Sequence, residues 1–232
     1  MTYGGTSGQR LPERGWILRA EYYTNILYPL QDKIIPVFKD SPFYLTGGTA
    51  LSRGYYNHRY SDDLDYFVND RSDFRRITER QIDKIGTLFK DLEIDKRETD
   101  FCRLFVAENQ LKIEIVNDVP SHIGNLLNHA VLGKIDSREN ILANKITAFV
   151  DRMVPKDVVD IYSLLRDGLD INQALLDANS KAAGIAPLLV AKFLTEFDYG
   201  LLGKEIKWVN PVSADAVKDY LHKVALTLVK GT

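Results

Sequence analysis

The chain has 232 residues, 45% hydrophobic and 27% charged, and its 30 Lys and Arg stand against 32 Asp and Glu for a formal net charge of -2. That apolar fraction suffices for a core, the 15 Gly and 8 Pro are too few for a collagen-like or low-complexity chain, and the length suits one large domain or a domain with a smaller appendage. Near-zero net charge argues against a protein that coats nucleic acid by global attraction, so any nucleic-acid contact needs a local basic patch.

The single Cys102 forms no intramolecular disulfide and is too little for a structural zinc site, which fits a reducing compartment and a cytoplasmic home. Met1 to Pro12 lacks the apolar run of a signal peptide, and no stretch approaches the roughly 18 apolar residues of a membrane span. Neither secretion nor a membrane partner is expected.

In chain order, residues 1–12 are polar and glycine-rich and read as a flexible leader. From Trp16 to Phe38, Ile17, Leu18, Tyr22, Ile26, Leu30, Ile34 and Val37 recur at helical spacing. Pro29 and Pro36 predict that one long helix breaks into a second, shorter one. Phe43-Tyr44-Leu45 then reads as a strand that turns at Gly47-Gly48 into a helix ending near Tyr56. Leu64 to Val68 is a strand with Leu64, Tyr66 and Val68 on one face and Asp65 and Phe67 on the other. A helix capped by Ser72 or Asp73 carries Phe74, Ile77, Ile82, Ile85, Leu88 and Phe89. Phe101–Val106 and Leu111–Val116 form an antiparallel hairpin turning at Glu108-Asn109-Gln110.

After Asp136 the pattern is helical. One helix follows Ser137 and stops before Pro155, a second starts there, and three more cover about 170–178, 185–198 and 214–229, the last capped by Ser213. The fold class is α+β, divided into a leader and helical segment (1–40), an α+β core (41–135) and a helical region (136–232).

The chemistry concentrates in two segments of the core. Gly47-Gly48 between strand and helix removes Cβ atoms and lets main-chain N–H groups approach an anion, although no Lys-Ser/Thr follows as in a P-loop and no third glycine as in a dinucleotide fingerprint. Asp63 and Asp65 flank Leu64, so both carboxylates lie on one strand face, where mutual repulsion favours a cation such as Mg²⁺. Taken alone, the triplet better suits a solvated strand edge; the Gly47-Gly48 turn upstream reverses that preference. Glu114, between Ile113 and Ile115, completes a trio if its strand lies beside that of Asp65; such a site suits two-metal displacement chemistry.

A third cluster is Lys145, Arg152, Lys156, Asp157 and Asp160. Lys145 and Arg152 share a helix face and could hold triphosphate oxygens, with Asp157 or Asp160 orienting them or serving as base; a solvated helix with local ion pairs is the bland alternative. Tyr55-Tyr56 with Arg53, His58 and Arg59 is the best local basic and aromatic patch for RNA. The four histidines show no metal-ligand spacing, and Cys102 has no paired histidine, so it reads as a buried inert thiol.

Gly47-Gly48-Thr49-Ala50-Leu51-Ser52, then Arg59-x-Ser61-x-Asp63-Leu64-Asp65, then Lys112-Ile113-Glu114, then Lys145-x-x-Ala148-x-x-x-Arg152-x-x-x-Lys156-Asp157-x-x-Asp160 resemble the four motifs of the AbiEii/AbiGii toxin family of nucleotidyltransferases, within the DNA polymerase β-like superfamily. The resemblance covers about residues 43–165. It implies a nucleotidyltransferase core on a mixed sheet with surrounding helices and a helical C-terminal region. It also implies Mg²⁺ (or Mn²⁺) dependence and transfer of a nucleoside monophosphate from an NTP with release of pyrophosphate.

Residue by residue, the resemblance implies metal binding and catalysis at Asp63, Asp65 and Glu114, with Asp160 also catalytic. Nucleotide binding falls to Gly47, Gly48, Thr49, Ser52, Lys145, Arg152 and Lys156. Such enzymes act as toxins, some on tRNA 3′ ends, so the implied partners are NTP, an RNA acceptor and a cognate antitoxin. The alternatives are a nucleotidyltransferase acting on a small molecule such as an antibiotic and a catalytically silent interaction scaffold.

Overall fold

The computed structural model of the protein describes residues 13–108 and 110–231. The expected leader at 1–12, Asn109 of the expected turn and the side chains of Trp16 and Ile17 lie outside the described residues.

Helix α1 (Glu13–Tyr22) passes through a π-helical turn at Tyr23–Leu27 into α2 (Tyr28–Phe38). The break expected from the two prolines does not occur. Pro29 falls in the first turn of α2, where the wider π turn has already interrupted the regular hydrogen-bond ladder, so its missing N–H costs little. Pro36 lies near the C-terminal end of α2, with only Val37 and Phe38 after it. Tyr23, Leu27, Ile34, Ile35 and Phe38 are buried.

Strand β1 (Tyr44–Thr46) leads into α3 (Gly47–Thr49) and a π-helical stretch, Ala50–Tyr56, giving the expected strand, glycine turn and helix. Strand β2 (Leu64–Asn69) buries Leu64, Tyr66 and Val68 and leaves Asp65 and Phe67 on the other face, as its alternation demands. Helix α4 (Phe74–Leu88) follows, and then β3 (Glu93–Arg97), β4 (Phe101–Val106), β5 (Leu111–Asp118), β6 (Leu127–His129) and β7 (Gly133–Ile135). Strands β3, β6 and β7 have no counterpart among the sequence expectations. The Glu-Ile-Asp-Lys-Arg of β3 is exposed at every position, so no buried face imprints an alternation on it; pairing with β4 at the sheet edge makes it a strand.

Among the described residues the strands form one seven-stranded mixed sheet in the order β3-β4-β5-β2-β1-β7-β6. Strand β1 is antiparallel to β2 and parallel to β7, while β2 is parallel to β5 and β4 is antiparallel to β5. The register places Asp65 opposite Thr46 on one side and Glu114 on the other, and Arg103 opposite Glu114.

Helix α5 (Arg138–Arg152) begins at Ser137, whose side chain accepts from Asn140 N, and ends at Met153 in a left-handed conformation. Helix α6 (Pro155–Arg166) starts on its proline. Helices α7 (Ile171–Lys181), α8 (Pro187–Glu196), the short α9 (Leu202–Glu205) and α10 (Ala214–Lys230) complete the chain, and Ser213 caps the last by accepting from Ala216 N. One hydrophobic cluster extends from Tyr23 through Leu45, Leu64 and Ile113 to Leu228 and joins all three expected parts. Each fully buried Leu or Ile in it is worth about 1.5–3 kcal/mol of transfer free energy. Among the described residues no helix is long and apolar enough to cross a membrane.

Candidate active site

The site forms where β1, β2 and β5 meet the inner face of α5. Period-two alternation sends Leu64, Ile113 and Ile115 into the core and leaves Asp65, Lys112 and Glu114 on the opposite face. Parallel pairing then brings Asp65 beside Glu114, as the sequence required of a trio.

Gly47 follows Thr46, the antiparallel partner of Asp65, and adopts φ +66. A Cβ there would collide with Asp65 Oδ2. At Gly48 a Cβ would stand 2.6 Å from Arg59 Nη2 and 2.8 Å from Ser61 Oγ. The glycine pair therefore makes room for a carboxylate on one side and a guanidinium on the other.

Two adjoining cavities open here. A polar one of about 130 Å³ is lined by Gly48 and Ser61, by the acids Asp62, Asp63, Asp65 and Glu114, and by the cations Arg59, Lys112, Lys145, Arg152 and Lys156. An apolar one of about 380 Å³ shares Asp65, Glu114, Lys145 and Arg152 and continues past Phe67, Phe101, Val116 and Asn144.

The carboxylates sit in contrasting environments. Burial, with the charges of Asp63 and Glu114 beside it, pushes the Asp65 carboxyl up to about 6. Burial also acts to raise Glu114, but the hydrogen bond from Arg103 Nε (2.8 Å) and the charge of Lys112 outweigh it and bring its carboxyl below the usual value. Lys112 Nζ stands 3.1 Å from Asp63 Oδ2 and 3.4 Å from Glu114 Oε1. Burial disfavours its charge, yet the acids around it raise its affinity for the proton. Among the described residues no three carboxylate, imidazole or thiol side chains are gathered into a ready-made metal cage; Lys112 bridges two of the three expected ligands.

Three cations of the cavity wall are held by buried carboxylates. Lys145 Nζ donates to Asp157 Oδ1 (3.0 Å) and pairs with Asp160 Oδ2 (2.7 Å). Arg152 grips Asp157 through Nε (2.8 Å) and Nη2 (3.1 Å). Arg59 forks onto Asp160 through Nε (2.8 Å) and Nη2 (2.6 Å), and His58 Nε2 lies 2.8 Å from the same carboxylate. Burial alone would raise the Asp160 carboxyl, but Arg59 and Lys145 hold it well below the usual range. The C-terminal third reaches this wall: Arg59 bridges to Trp208, and Tyr60 N donates to Lys207 O at 2.7 Å.

Several expected site residues stand elsewhere. Asp160 is fully buried, lines neither cavity and pairs with Arg59 and Lys145. Ser52 is also buried, away from both cavities, with its hydroxyl unpartnered. Thr49 Oγ1 donates to the carbonyl of Asp63 and thereby steers the approach to β2. The expected RNA patch is consumed internally: Tyr55 hydrogen-bonds Asp136 O, Tyr56 bonds Asp167, Arg53 bonds Asp32 and Gln31, and His58 and Arg59 serve Asp160. Cys102 is buried, and burial pushes its thiol up.

Sequence reasoning assigned no role to Lys112, Arg103 or Asn144. Arg103 was within reach of it, because the hairpin register alone sets that residue opposite Glu114.

The model of the family described as "Nucleotidyl transferase AbiEii toxin, Type IV TA system" matches residues 30–206. The chain belongs to that family. It is a nucleotidyltransferase; of the expected site residues Gly47, Gly48, Asp63, Asp65, Glu114, Lys145, Arg152 and Lys156 line the two cavities, while Thr49, Ser52 and Asp160 are buried and line neither.

The fold is that of JHP933 from Helicobacter pylori, at TM-score 0.57 and 21% identity over 90% of this chain and 93% of that one. It is equally that of MenT4, the nucleotidyltransferase toxin Rv2826c from Mycobacterium tuberculosis H37Rv, at TM-score 0.57 and 16% identity over 93% of this chain and 87% of that one. The antibiotic-resistance factor ANT(2″)-Ia shares it less fully, at TM-score 0.50 and 12% identity over 68% of this chain and 91% of that one. No curated protein matches in sequence.

Proposed function

We propose that this chain transfers a nucleoside monophosphate from an NTP to an acceptor hydroxyl, using Mg²⁺ or Mn²⁺, and that the acceptor is the 3′ end of a tRNA. The observation that carries the reading is that one polar cavity is lined both by Asp63, Asp65 and Glu114 and by Arg59, Lys145, Arg152 and Lys156. A triphosphate needs cations on its oxygens, and a hydroxyl attacking in line needs its charge met on the opposite side.

The donor set fits a divalent cation: Asp63 and Asp65 offer hard oxygens, and the crowding that raises the proton affinity of Asp65 is what a cation relieves. Asp63 and Asp65, with Glu114, would hold it. Such an ion supplies charge stabilisation to the entering and leaving oxygens. Lys145 and Arg152 hold phosphate oxygens from positions that Asp157 and Asp160 make rigid, and Lys156 adds an exposed charge at the rim. The Gly47-Gly48 turn brings main chain close to the same phosphates. Phe67 and Phe101 in the apolar cavity offer surface for the base, and ionised Asp65 accepts the proton of the attacking hydroxyl.

Adjoining cavities that share Phe101, Val116 and Asn117 extend from the cleft to a surface where Arg71, Arg75 and Arg97 stand among Asp70, Glu98 and Asp100, which gives an acceptor end room without an extended basic track. As a toxin of a type IV pair, the chain acts under a cognate antitoxin. Label from each α-phosphate-labelled NTP is expected in the RNA fraction, and growth arrest on expression is expected to vanish with Asp63→Ala. Transfer that survives both Asp63→Ala and Asp65→Ala overturns the proposal, and label confined to protein or to a small molecule overturns the acceptor.

A further inference from the structure

The sheet face that carries the proposed metal ligands also carries a cation of its own. Lys112 lies two residues before Glu114 on β5 and therefore on the same face, and the β2–β5 register sets it alongside Asp63. Its Nζ spans the two carboxylates at 3.1 Å and 3.4 Å. Other cleft cations are engaged elsewhere: Arg59 with Asp160, Arg152 with Asp157, and Lys145 with both. Of the cations lining the polar cavity, Lys112 alone pairs with the acids of this face.

We propose that Lys112 is a tethered substitute for the divalent ion, a positioning residue that holds Asp63 and Glu114 in the free protein and must leave them before the ion can bind. This rests on the nucleotidyltransferase reading above. An ammonium seated on Asp63 Oδ2 and Glu114 Oε1 competes with a divalent ion for those oxygens, because it occupies their lone pairs and the two positive charges repel at such separations. The four-carbon stem of a lysine lets the ammonium swing without moving the strand. An arriving triphosphate gives the displaced ammonium a new anionic partner, so ion and nucleotide favour each other's binding. Without nucleotide, the ammonium returns and the ion is held weakly. The coupling is reciprocal, as linkage requires.

The test is calorimetric titration of Mn²⁺, with no nucleotide, into the full chain and its Lys112→Met and Lys112→Gln variants, with unfolding temperatures measured in chelator and in Mn²⁺. Removing the ammonium is expected to tighten Mn²⁺ binding by roughly tenfold or more. It is also expected to lower the unfolding temperature in chelator and to enlarge the rise on adding Mn²⁺. Equal or weaker Mn²⁺ binding by both variants overturns the role of Lys112, and no Mn²⁺ binding by any of the three proteins overturns it together with the metal reading. The two proposals fail separately: equal affinities with label transfer intact sink only the role of Lys112. Tighter binding by the variants with no transfer from any NTP sinks only the enzymatic reading.

Discussion

Asp65 and Glu114 stand opposite each other across the β2–β5 pair, yet their surroundings push their protons in opposite directions. Arg103 and Lys112 serve Glu114, whereas Asp65 receives burial and two like charges. One face thus holds an acid that stays ionised and one whose charge is costly until a cation arrives.

The stability consequence has a definite sign. The folded-state value of Asp65, about 6, lies above its ordinary 3.8, so ionisation costs native stability as pH rises through 6. Asp65→Asn is expected to stabilise the metal-free protein by about 3 kcal/mol at most at pH 7–8, with the gain fading by about pH 4. Urea unfolding in chelator across that range checks it.

Asp160 behaves in the opposite sense. Its carboxyl is held low, so its contribution is present above the ordinary carboxylate value and lost as pH falls toward the folded-state value. Asp160→Ala leaves Arg59 and Lys145 without their buried partner and is expected to cost about 3–5 kcal/mol at neutral pH. Denaturant midpoints at pH 7 and pH 3 should show the deficit shrinking in acid.

Two glycines with nearly equal angles separate backbone strain from site geometry. Gly47 (φ +66) abuts Asp65, whereas Gly133 (φ +72) has nothing near its missing Cβ. Gly133→Ala is expected to lose about 1–2 kcal/mol through the left-handed conformation alone and to keep nucleotide transfer. Gly47→Ala carries the same strain and displaces Asp65, so transfer should fall by at least about a hundredfold, in line with misplacement of a reacting group. Unfolding temperatures and label transfer, measured on both variants, distinguish them.

Ser52→Ala is expected to leave transfer unchanged and stability equal or slightly higher. The hydroxyl is buried without a partner, and removing an unsatisfied polar group recovers its desolvation cost of about 1–3 kcal/mol, less the small packing loss. A raised KM for NTP in this variant would restore Ser52 to the phosphate site.

Much of the fold was legible because its signals are local. Alternation in Leu64–Val68 and Leu111–Val116, the Gly47-Gly48 turn, the caps at Ser137 and Ser213 and the start of α6 at Pro155 each depend on a few adjacent side chains. Strand β3 was not legible, since an exposed edge leaves no pattern, and the prolines misled because a π turn absorbed the one at Pro29.

The sequence by itself determined which face of β2 and β5 carries Asp63, Asp65, Lys112 and Glu114, because side-chain alternation along a strand needs no partner to be known. Only the tertiary structure decided which charges meet. Parallel pairing set Asp65 beside Glu114, and packing of α6 on α5 drew Asp157 and Asp160 behind Lys145 and out of the cleft. Burial and pairing depend on residues far apart in the chain, and they separate a carboxylate that lines the cleft from one that holds a lysine in place.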